Sequence, residues 1–228
     1  MRKRSFLVAA VGLAAVLIAG GLFASNMGFK LNFLLQSPAV GVSATGTTVM
    51  GLPYNPQTNI TNADQLLQDI NTVAGSSVVA SVSQFDRSAD GLISYTGFSG
   101  TNFAIVPEEA YYVTVSSNVN YIIVGSHNPS LGVTFYGPGS TTPQGVSSTG
   151  TNAWSYPYHS TLTIAAELIT EINAVGGGQV ASVSQWDKTS DGLISYTGFS
   201  GTNFALAPGQ GYLVTVDADV AGYIPSHY

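Results

Sequence analysis

Alternation of apolar and polar residues predicts that most of this chain folds as short β-strands. The clearest segment has the period of two expected of a half-buried strand, and its apolar positions are Phe29, Leu31, Phe33 and Leu35. Further short strands are predicted over residues 47–52, 78–85, 92–98, 103–106, 111–115 and 121–124. Gly, Pro, Asn and Asp separate these segments, as they do in turns and hairpins.

Two segments have a helical period instead. The first has one apolar face formed by residues three and four positions apart, namely Leu66, Leu67, Ile70 and Val73. Thr61 and Asp64 supply oxygens for the free N–H groups of its first turn, and Gly75 is a common residue at a helix end. The same spacing recurs later in the chain, at Leu168, Ile169, Ile172 and Val175.

The chain contains two copies of one sequence module. Residues 81–107 and 182–208 are identical at 21 of 27 aligned positions, and residues 41–54 match 145–158 at an offset of 104. We therefore predict module 1 over residues 26–127 and module 2 over residues 130–228, with almost no linker. Each is expected to be a mainly β domain with one short helix, built as a β-sandwich or a partly open barrel.

Residues 1–25 have the layout of a secretory signal peptide. Three basic residues precede an apolar and glycine-rich run over 6–23, and the small residues Ala24 and Ser25 follow. The run is longer than the usual apolar core of about 7–15 residues, so an uncleaved N-terminal anchor is the alternative. In that case residues 6–23 would be the only contact with a membrane. Either way, we expect an extracellular or cell-surface protein.

Charged residues make up only 8% of the chain, and this excludes several classes of function. Without residues 1–25, three basic residues remain against 12 acidic ones, which is a net charge of −9. Such a chain lacks the basic patch that nucleic-acid phosphates require. The absence of cysteine excludes thiolate zinc sites, iron–sulfur clusters and disulfides.

Each module has short motifs before and after its helix, in a fixed order. Leu-Pro-Tyr, at 52–54 of module 1, precedes the helix. The motifs after the helix are quoted from module 2: Ser-Val-Ser-Gln-Trp-Asp at 182–187, Ser-Tyr at 195–196, Asn-Phe at 203–204 and Pro-Gly-Gln-Gly-Tyr-Leu-Val-Thr-Val at 208–216. This order resembles an uncharacterised module of secreted proteins from environmental bacteria, and the resemblance implies a β-rich surface module without an activity. The first copy departs from it at 107–110, where Pro-Glu-Glu-Ala replaces Pro-Gly-Gln-Gly and allows a different turn.

An acidic loop in both copies has the spacing of half a calcium-binding loop. Its oxygen-bearing positions are Asp86, Ser88 and Asp90 in module 1, and Asp187, Thr189 and Asp191 in module 2. Gly97 and Gly198 stand where a calcium loop has its glutamate, and the basic Arg87 and Lys188 stand at the second position. The alternative is a hairpin loop whose aspartates bond their own backbone. Calcium is the only cofactor that the sequence suggests.

No group of residues indicates catalysis, and we predict that the protein is not an enzyme. Three histidines without cysteine make a transition-metal site improbable. The segment 97–100, Gly-Phe-Ser-Gly, lacks the glycine spacing of a nucleophile elbow. Glu108 and Glu109 are neighbours, so on a strand they would face opposite sides, unlike the paired carboxylates of a glycosidase. We therefore assign no catalytic and no cofactor-binding residue.

The expected function is structural. Export, two near-identical modules and weak charge favour a secreted protein that assembles with its own copies into an extracellular filament or sheet. Its assembly strand would carry Phe29, Leu31, Phe33 and Leu35 and add to the neighbouring module. The alternative is that this strand pairs within its own module. A contact between modules that recurs between chains would be head-to-tail and would not close.

A second hypothesis is a monomeric adhesin or carbohydrate-binding module whose partner is a cell-surface glycan. Exposed tyrosines would then form a platform for sugar rings, and the candidates are Tyr54, Tyr111, Tyr158 and Tyr212. For most other aromatic residues, including Phe98 and Phe199, we expect core positions. A hydrolase with an unrecognised site is a third hypothesis.

Overall fold

The structure is a computed structural model that describes residues 28–53, 55–56, 59–126, 132–176 and 179–227. These residues are mainly β-strand with two short helices, which confirms the predicted class, and their sheets do not close into a barrel. The predicted signal or anchor segment, residues 1–25, lies outside the described residues. Within the described ranges, no helix is long and apolar enough to cross a membrane.

The first half of the chain, residues 28–126, forms two antiparallel sheets and a helix. Its elements are β1 (Gly28–Leu35), β2 (Thr47–Gly51), β3 (Asn55–Pro56), α1 (Ala63–Ala74), β4 (Val79–Asp86), β5 (Gly91–Tyr95), β6 (Ala110–Val115) and β7 (Val119–Ser126). One sheet has four strands in the order β2-β6-β4-β5, and the other has three in the order β1-β7-β3.

The second half, residues 132–227, has the same strand order in its large sheet. Its elements are β8 (Val133–Phe135), β9 (Thr141–Thr142), β10 (Gly145–Val146), β11 (Thr151–Ser155), α2 (Ala165–Val175), β12 (Val180–Asp187), β13 (Gly192–Tyr196), β14 (Gly211–Val216) and β15 (Val220–Tyr223). The four-stranded sheet runs β11-β14-β12-β13, the equivalent of β2-β6-β4-β5. The pairing of β8 with β15 corresponds to that of β1 with β7.

The predicted assembly strand, β1, pairs within its own half. All eight of its residues are in antiparallel register with β7, from Gly28 opposite Ser126 to Leu35 opposite Val119. Its alternate side chains enter the core of the first half, with Leu31 and Phe33 largely buried and Leu35 fully buried. In this single chain the strand therefore adopts the pairing that the sequence analysis kept as its alternative, and β8 does the same in the second half.

Both helices lie where their apolar spacing predicts them, although the first is capped by different residues. The Asn62 side chain accepts a hydrogen bond from Gln65 N–H, and Gln65 Oε1 accepts one from Thr61 N–H. Asn62, not Thr61, is therefore the N-cap of α1. Gly75 ends this helix in the left-handed conformation, as expected.

Two predicted strands differ from the structure. Residues 103–106 make only an isolated bridge, between Ala104 and Asn62, because this segment runs past the start of α1 instead of along a sheet. The segment predicted over 92–98 ends at Tyr95, after which a tight loop bridges Tyr95 to Gly100.

Each half has its own apolar core. In the first half, α1 contributes Leu66, Leu67 and Ile70 to a cluster with the inner face of β1 and the buried residues of β6 and β7. In the second half, the equivalent residues of α2 join a cluster centred on Trp154, Tyr212 and Tyr223. The helices thus cover their sheets as the amphipathic pattern requires.

We expect Leu35→Ala to destabilise the protein by about 2–5 kcal/mol, because a fully buried leucine leaves a cavity when it is truncated. Leu34→Ala is the matched control, since Leu34 is 55% exposed on the other face of β1, and its effect should stay within about 0.5 kcal/mol. Urea unfolding of the two variants measures both values. Equal effects would mean that β1 does not pack as described.

Candidate functional site: the contact between the two halves

The two halves meet through reciprocal backbone hydrogen bonds. Gly51 N–H donates to the Gly209 carbonyl at 2.7 Å, and Ser155 N–H donates to the Glu108 carbonyl at the same distance. Gly51 and Ser155 occupy equivalent positions of the repeat, and so do Gly209 and Glu108. Each half therefore donates and receives the same bond, which relates the halves by a pseudo-two-fold axis.

Small residues lie where this axis passes between the halves. A Cβ atom added to Gly51 would lie 2.3 Å from Ser155 Oγ, and one added to Gly211 would lie 2.4 Å from Ala110 Cβ. Gly51 and Ser155 are repeat counterparts, and Ala110 and Gly211 are as well. One glycine in each pair thus lets the backbones approach closely. A small apolar cluster crosses the contact here, formed by Val49, Ala110, Tyr112, Ala153 and Trp186.

Arg87, at the tip of the β4–β5 hairpin, is the main polar anchor of the contact. Its side chain is only 4% exposed, and it reaches entirely into the second half. The Nη1 atom donates to the Thr151 carbonyl at 2.6 Å and to Asn152 Oδ1 at 2.8 Å. The Nη2 atom donates to the carbonyls of Tyr136 and Gly137 at 3.2 and 3.3 Å. A planar guanidinium suits this arrangement, since its donors have a fixed geometry.

Burial lowers the pKa of Arg87, and the nearby carboxylates of Asp90 and Asp219 oppose this effect. Asp219 accepts hydrogen bonds from Ser140 Oγ at 2.6 Å and from Gly137 N–H at 2.7 Å, which hold its pKa below the usual value. Carbonyl dipoles and two carboxylates therefore offset the charge of the buried cation, while its Nε atom has no hydrogen-bond partner among the described residues.

Asp90 is the second anchor of the first half, and both of its carboxylate oxygens bind the other half. Oδ1 accepts hydrogen bonds from the hydroxyls of Ser147 and Thr149, and Oδ2 accepts them from the N–H and hydroxyl of Ser148. These bonds, led by that of Ser147, hold the pKa of Asp90 well below its usual range. Among the described residues, its counterpart Asp191 accepts one such bond, from Thr45 Oγ1 at 3.0 Å.

The side of the axis with Lys188 is held more loosely than the side with Arg87. Lys188 Nζ lies 3.4 Å from the Leu34 carbonyl and 3.5 Å from Gln36 Oε1, both at the limit of a hydrogen bond. Thr48 stands where the second half has Asn152, and its buried hydroxyl has no hydrogen-bond partner in the part of the chain that the structure describes. The two equivalent sides of the contact are therefore similar in fold and different in chemistry.

Two cavities flank the pseudo-two-fold axis at equivalent positions. Cavity A has a volume of about 290 Å³, and its polar lining includes Arg87, Glu108, Glu109 and Asn152. Cavity B has a volume of about 230 Å³, and its polar lining includes Thr48, Trp186, Lys188 and Gln210. Cavity A has Glu108 and Glu109 where cavity B has Gly209 and Gln210, and each cavity also has one basic residue, Arg87 or Lys188.

Glu108 and Glu109 form the acidic wall of cavity A. Glu108 has φ +79°, nearly the +76° of its counterpart Gly209, so the turn is the same in both copies despite the sequence difference. A non-glycine residue in this conformation is strained. Burial raises the pKa of Glu109 to about 7, which Glu108 reinforces and a hydrogen bond from Tyr111 opposes.

The acidic loops make hairpin hydrogen bonds of the kind that the sequence analysis gave as the alternative to calcium. Asp86 accepts a bond from Ser88 N–H, and Asp187 accepts bonds from Thr189 N–H and Ser190 Oγ. Asp90 is turned towards the other half instead of towards Asp86. In the described part of the chain, no group of three or more His, Cys, Asp and Glu residues is placed to hold a metal ion. A calcium site stays a prediction.

Of the four tyrosines considered for a sugar platform, the three that the structure describes do not come together at the surface. Tyr111 and Tyr212 are buried, each with its hydroxyl accepting a bond from the backbone five residues before it. Tyr158 stacks on Phe29 of the other half, with ring centroids 4.4 Å apart. Tyr54, the fourth, lies outside the described residues.

Two phenylalanines expected in the core are instead fully exposed. Phe98 and its counterpart Phe199 are 101% and 99% exposed, each at the tip of the loop that follows β5 or β13. The loop is held by the same bonds in both halves: Thr96 N–H donates to the Ser99 carbonyl at 3.0 Å, and Thr197 N–H does so to that of Ser200. Pattern reading placed these residues at the end of a strand, and the strand ends three residues earlier.

In comparisons with known proteins, no family model, no curated protein and no solved structure matches this chain. The candidate site therefore rests on the geometry of the contact alone.

Sequence reasoning missed the role of Arg87. It treated the basic position of the acidic loop only as an argument against calcium. A signal was present, because two of the three basic residues beyond residue 25, Arg87 and Lys188, occupy the same repeat position. In a chain with so few charged residues, a basic residue that recurs at one repeat position indicates that its side chain has specific hydrogen-bond acceptors in the fold.

We expect Asp90→Asn to lower the melting temperature at pH 7 more than Asp191→Asn does, because Asp90 accepts four bonds across the contact and Asp191 one. The folded-state pKa of Asp90 is depressed, so its ionised form stabilises the fold above the unfolded pKa of about 3.9. That stabilisation is lost as the pH falls below this value. The melting temperatures of wild type and Asp90→Asn should therefore converge in acid, and a difference independent of pH would contradict the assignment.

We expect neither EDTA nor added Ca²⁺ to change the melting temperature. The oxygens of Asp90 already accept hydrogen bonds from three residues, and a calcium ion would have to displace them. Differential scanning calorimetry of the full chain with each additive measures this, and Mg²⁺ controls for ionic strength. A rise with Ca²⁺ that EDTA reverses would instead establish the calcium site.

Proposed function

We propose that this protein is a non-enzymatic, secreted structural protein whose two halves are tandem modules and which assembles with its own copies at the cell surface. The observation that carries the proposal is the pair of fully exposed phenylalanines, Phe98 and Phe199, at equivalent tips of the two halves. Large apolar side chains that are fully exposed at matching positions favour a role in binding another protein surface.

The loops that carry these phenylalanines are built to hold one shape. A Cβ atom added to Gly100 or to Gly201 would lie 2.0 Å from a backbone carbonyl, of Ser94 or Ser195 respectively. Both glycines also have positive φ angles. A rigid loop loses little conformational entropy on binding, which supports an interaction role for the residue at its tip.

The pseudo-two-fold axis makes each chain bivalent. If the tip of one chain binds the tip of another, each chain can join two neighbours, and the product is a linear polymer. This route differs from the head-to-tail assembly that the sequence suggested. The contact between the two halves is reciprocal, so the same contact formed between two chains would join them as a closed pair and could not extend into a polymer.

The low charge of the chain supports assembly, since few like charges keep copies apart. The layout of residues 1–25 supports export. Addition of β1 to a neighbouring chain is an alternative contact for the same function, and it requires β1 to leave its eight-residue pairing with β7. Exposed aromatic tips also suit stacking on sugar rings, which keeps the glycan-binding adhesin as the second function.

We expect the full chain to form polymers, Phe98→Ser or Phe199→Ser alone to stop at dimers, and the double variant to be monomeric. A single variant keeps one phenylalanine tip and can therefore contact one other chain. The double variant has no tip left and cannot make this contact. Negative-stain electron microscopy and light scattering with size-exclusion chromatography measure these states. The matched control is Leu92→Ser with Leu193→Ser, a pair of half-exposed strand residues at equivalent positions, and it should still polymerise.

Other outcomes would support a different contact or a different function. Polymers from the double phenylalanine variant would point to β1 as the contact. A wild-type chain that stays monomeric at high concentration and binds a glycan array would establish the adhesin instead.

A further inference from the structure

The strand β1 has one edge that pairs with no strand in the described part of the chain. It is the last strand of its sheet, and its eight residues pair with β7 alone. Lys188 Nζ of the second half lies 3.4 Å from the Leu34 carbonyl, which indicates that this carbonyl points away from β7. Every second residue of a strand directs its N–H and C=O to the same edge. The backbone groups of Asn32 therefore point away from β7 as well.

The equivalent edge of β8 is covered by a side-chain amide. Tyr136, which follows β8, is the repeat counterpart of Asn32. Its N–H donates to Asn152 Oδ1 at 3.0 Å, and its carbonyl accepts a hydrogen bond from Asn152 Nδ2 at 3.1 Å. Such a two-way exchange is the pattern of a hydrogen-bonded residue pair in an antiparallel sheet. The Asn152 amide thus takes the place that a further strand would have at this edge.

The edge of β1 has no such cover. Thr48 replaces Asn152, and its hydroxyl is enclosed and bonds nothing among the described residues. Lys188 reaches the Leu34 carbonyl and Gln36, and no side chain in the described ranges bonds the backbone of Asn32. Residues 31–34 line cavity B instead. Free N–H and C=O groups along a strand edge are a template for pairing with another chain.

The walls of cavity B select the kind of chain that can pair there. Residues 207–210 of the second half and Val49 of β2 line the cavity together with β1. A strand that brings its own folded sheet would meet these walls, whereas a single extended segment needs only about 4.8 Å beside β1. The lined part of β1, from Leu31 to Leu34, spans about 10 Å, which is the length of three or four extended residues.

We propose that the free edge of β1 binds a short extended peptide of a partner protein by β-strand addition, with the peptide backbone exchanging two hydrogen bonds with Asn32. Asn152 indicates this ligand chemistry, because an amide makes the same exchange at the equivalent place. β1 keeps its pairing with β7, so this contact is different from the addition of β1 itself to a neighbouring chain. It involves neither Phe98 nor Phe199 and does not depend on assembly.

The register defines which side chains the peptide carries. A residue directly opposite Asn32 lies on the same face of the sheet, where the Asn32 side chain is exposed, so a polar residue suits this position. The residues on either side of it face the way that Leu31 and Phe33 do. Val49 and Pro208 leave room there for small apolar side chains only. The expected ligand therefore alternates polar and small apolar residues.

The test is a titration of the ¹⁵N-labelled full chain with the peptide acetyl-Ser-Val-Ser-Val-Ser-amide, followed by NMR. We expect the amide signals of Asn32 and Leu34 to shift saturably, and hydrogen exchange of the Asn32 amide to slow by about tenfold or more. The control peptide has an N-methyl group on its central serine. It should bind about tenfold more weakly, because it keeps the side chains and loses the donor to the Asn32 carbonyl.

Two variants of one residue locate the site. Thr48→Asn should weaken peptide binding by about tenfold or more, because the new amide can cover the Asn32 backbone as Asn152 covers Tyr136. Thr48→Val is the matched control. It removes an enclosed hydroxyl, adds no amide and should bind the peptide as the wild type does.

Hydrogen exchange of the free wild-type protein keeps the proposal testable if Thr48→Asn does not fold. The Asn32 amide should exchange at least about tenfold faster than the Tyr136 amide, which donates to Asn152. The Phe98→Ser and Phe199→Ser double variant should bind the peptide as the wild type does, which separates this site from the proposed assembly contact.

The remaining outcomes overturn the proposal. No binding of the peptide would mean that water satisfies this edge. Equal binding of the N-methyl peptide would exclude backbone pairing, and unchanged binding by Thr48→Asn would place the peptide elsewhere. An Asn32 amide that is protected in the free protein only when the protein is dimeric would make a second copy of the chain the occupant. Loss of binding in the double phenylalanine variant would place the peptide at the tips.

Discussion

A buried guanidinium holds the two halves of this protein together beside their pseudo-two-fold axis. Arg87 loses nearly all contact with water, and it is stable there because two carbonyls of the Tyr136–Gly137 segment, the Thr151 carbonyl and Asn152 accept its hydrogen bonds. Asp90 and Asp219 lie close enough to offset its charge. The loops that supply these acceptors must keep their positions, since a buried cation that loses its partners is strongly destabilising.

The second side of the same contact has different side chains. Among the described residues the Lys188 ammonium makes only long hydrogen bonds, and Thr48, which replaces Asn152, leaves its hydroxyl without a partner. The backbone bonds at Gly51 and Ser155 are equal on both sides and maintain the geometry of both cavities. The two copies of the contact therefore share one backbone geometry and differ in the side chains that flank it.

The reciprocal contact also limits how the chain can assemble. Because each half donates to the other what it receives, the interface is already complete within one chain and leaves no unused copy of itself. The proposed assembly therefore requires a different surface, and the two exposed phenylalanine tips lie at equivalent positions of the two halves. The same duplication explains both the reciprocal contact inside the chain and the pair of equivalent tips on its surface.

The sequence by itself determined the local structure: the repeat, the alternation of β1 and the apolar faces of the helices at Leu66 and Leu168 all follow from short-range spacing. It also indicated the hairpin aspartates, since Asx turns are local. Only the tertiary structure decided that Arg87 is buried, that Asp90 turns to the other half, and that Phe98 is exposed. The first two depend on which surfaces meet between residues 57 to 64 positions apart in the chain, and no periodicity encodes that distance. The exposure of Phe98 follows from the end of β5 at Tyr95, three residues before the strand pattern predicts it. The two copies of the contact differ in chemistry because each one pairs side chains of one half with side chains of the other. A substitution in either half therefore changes one copy of the contact and leaves the other as it was.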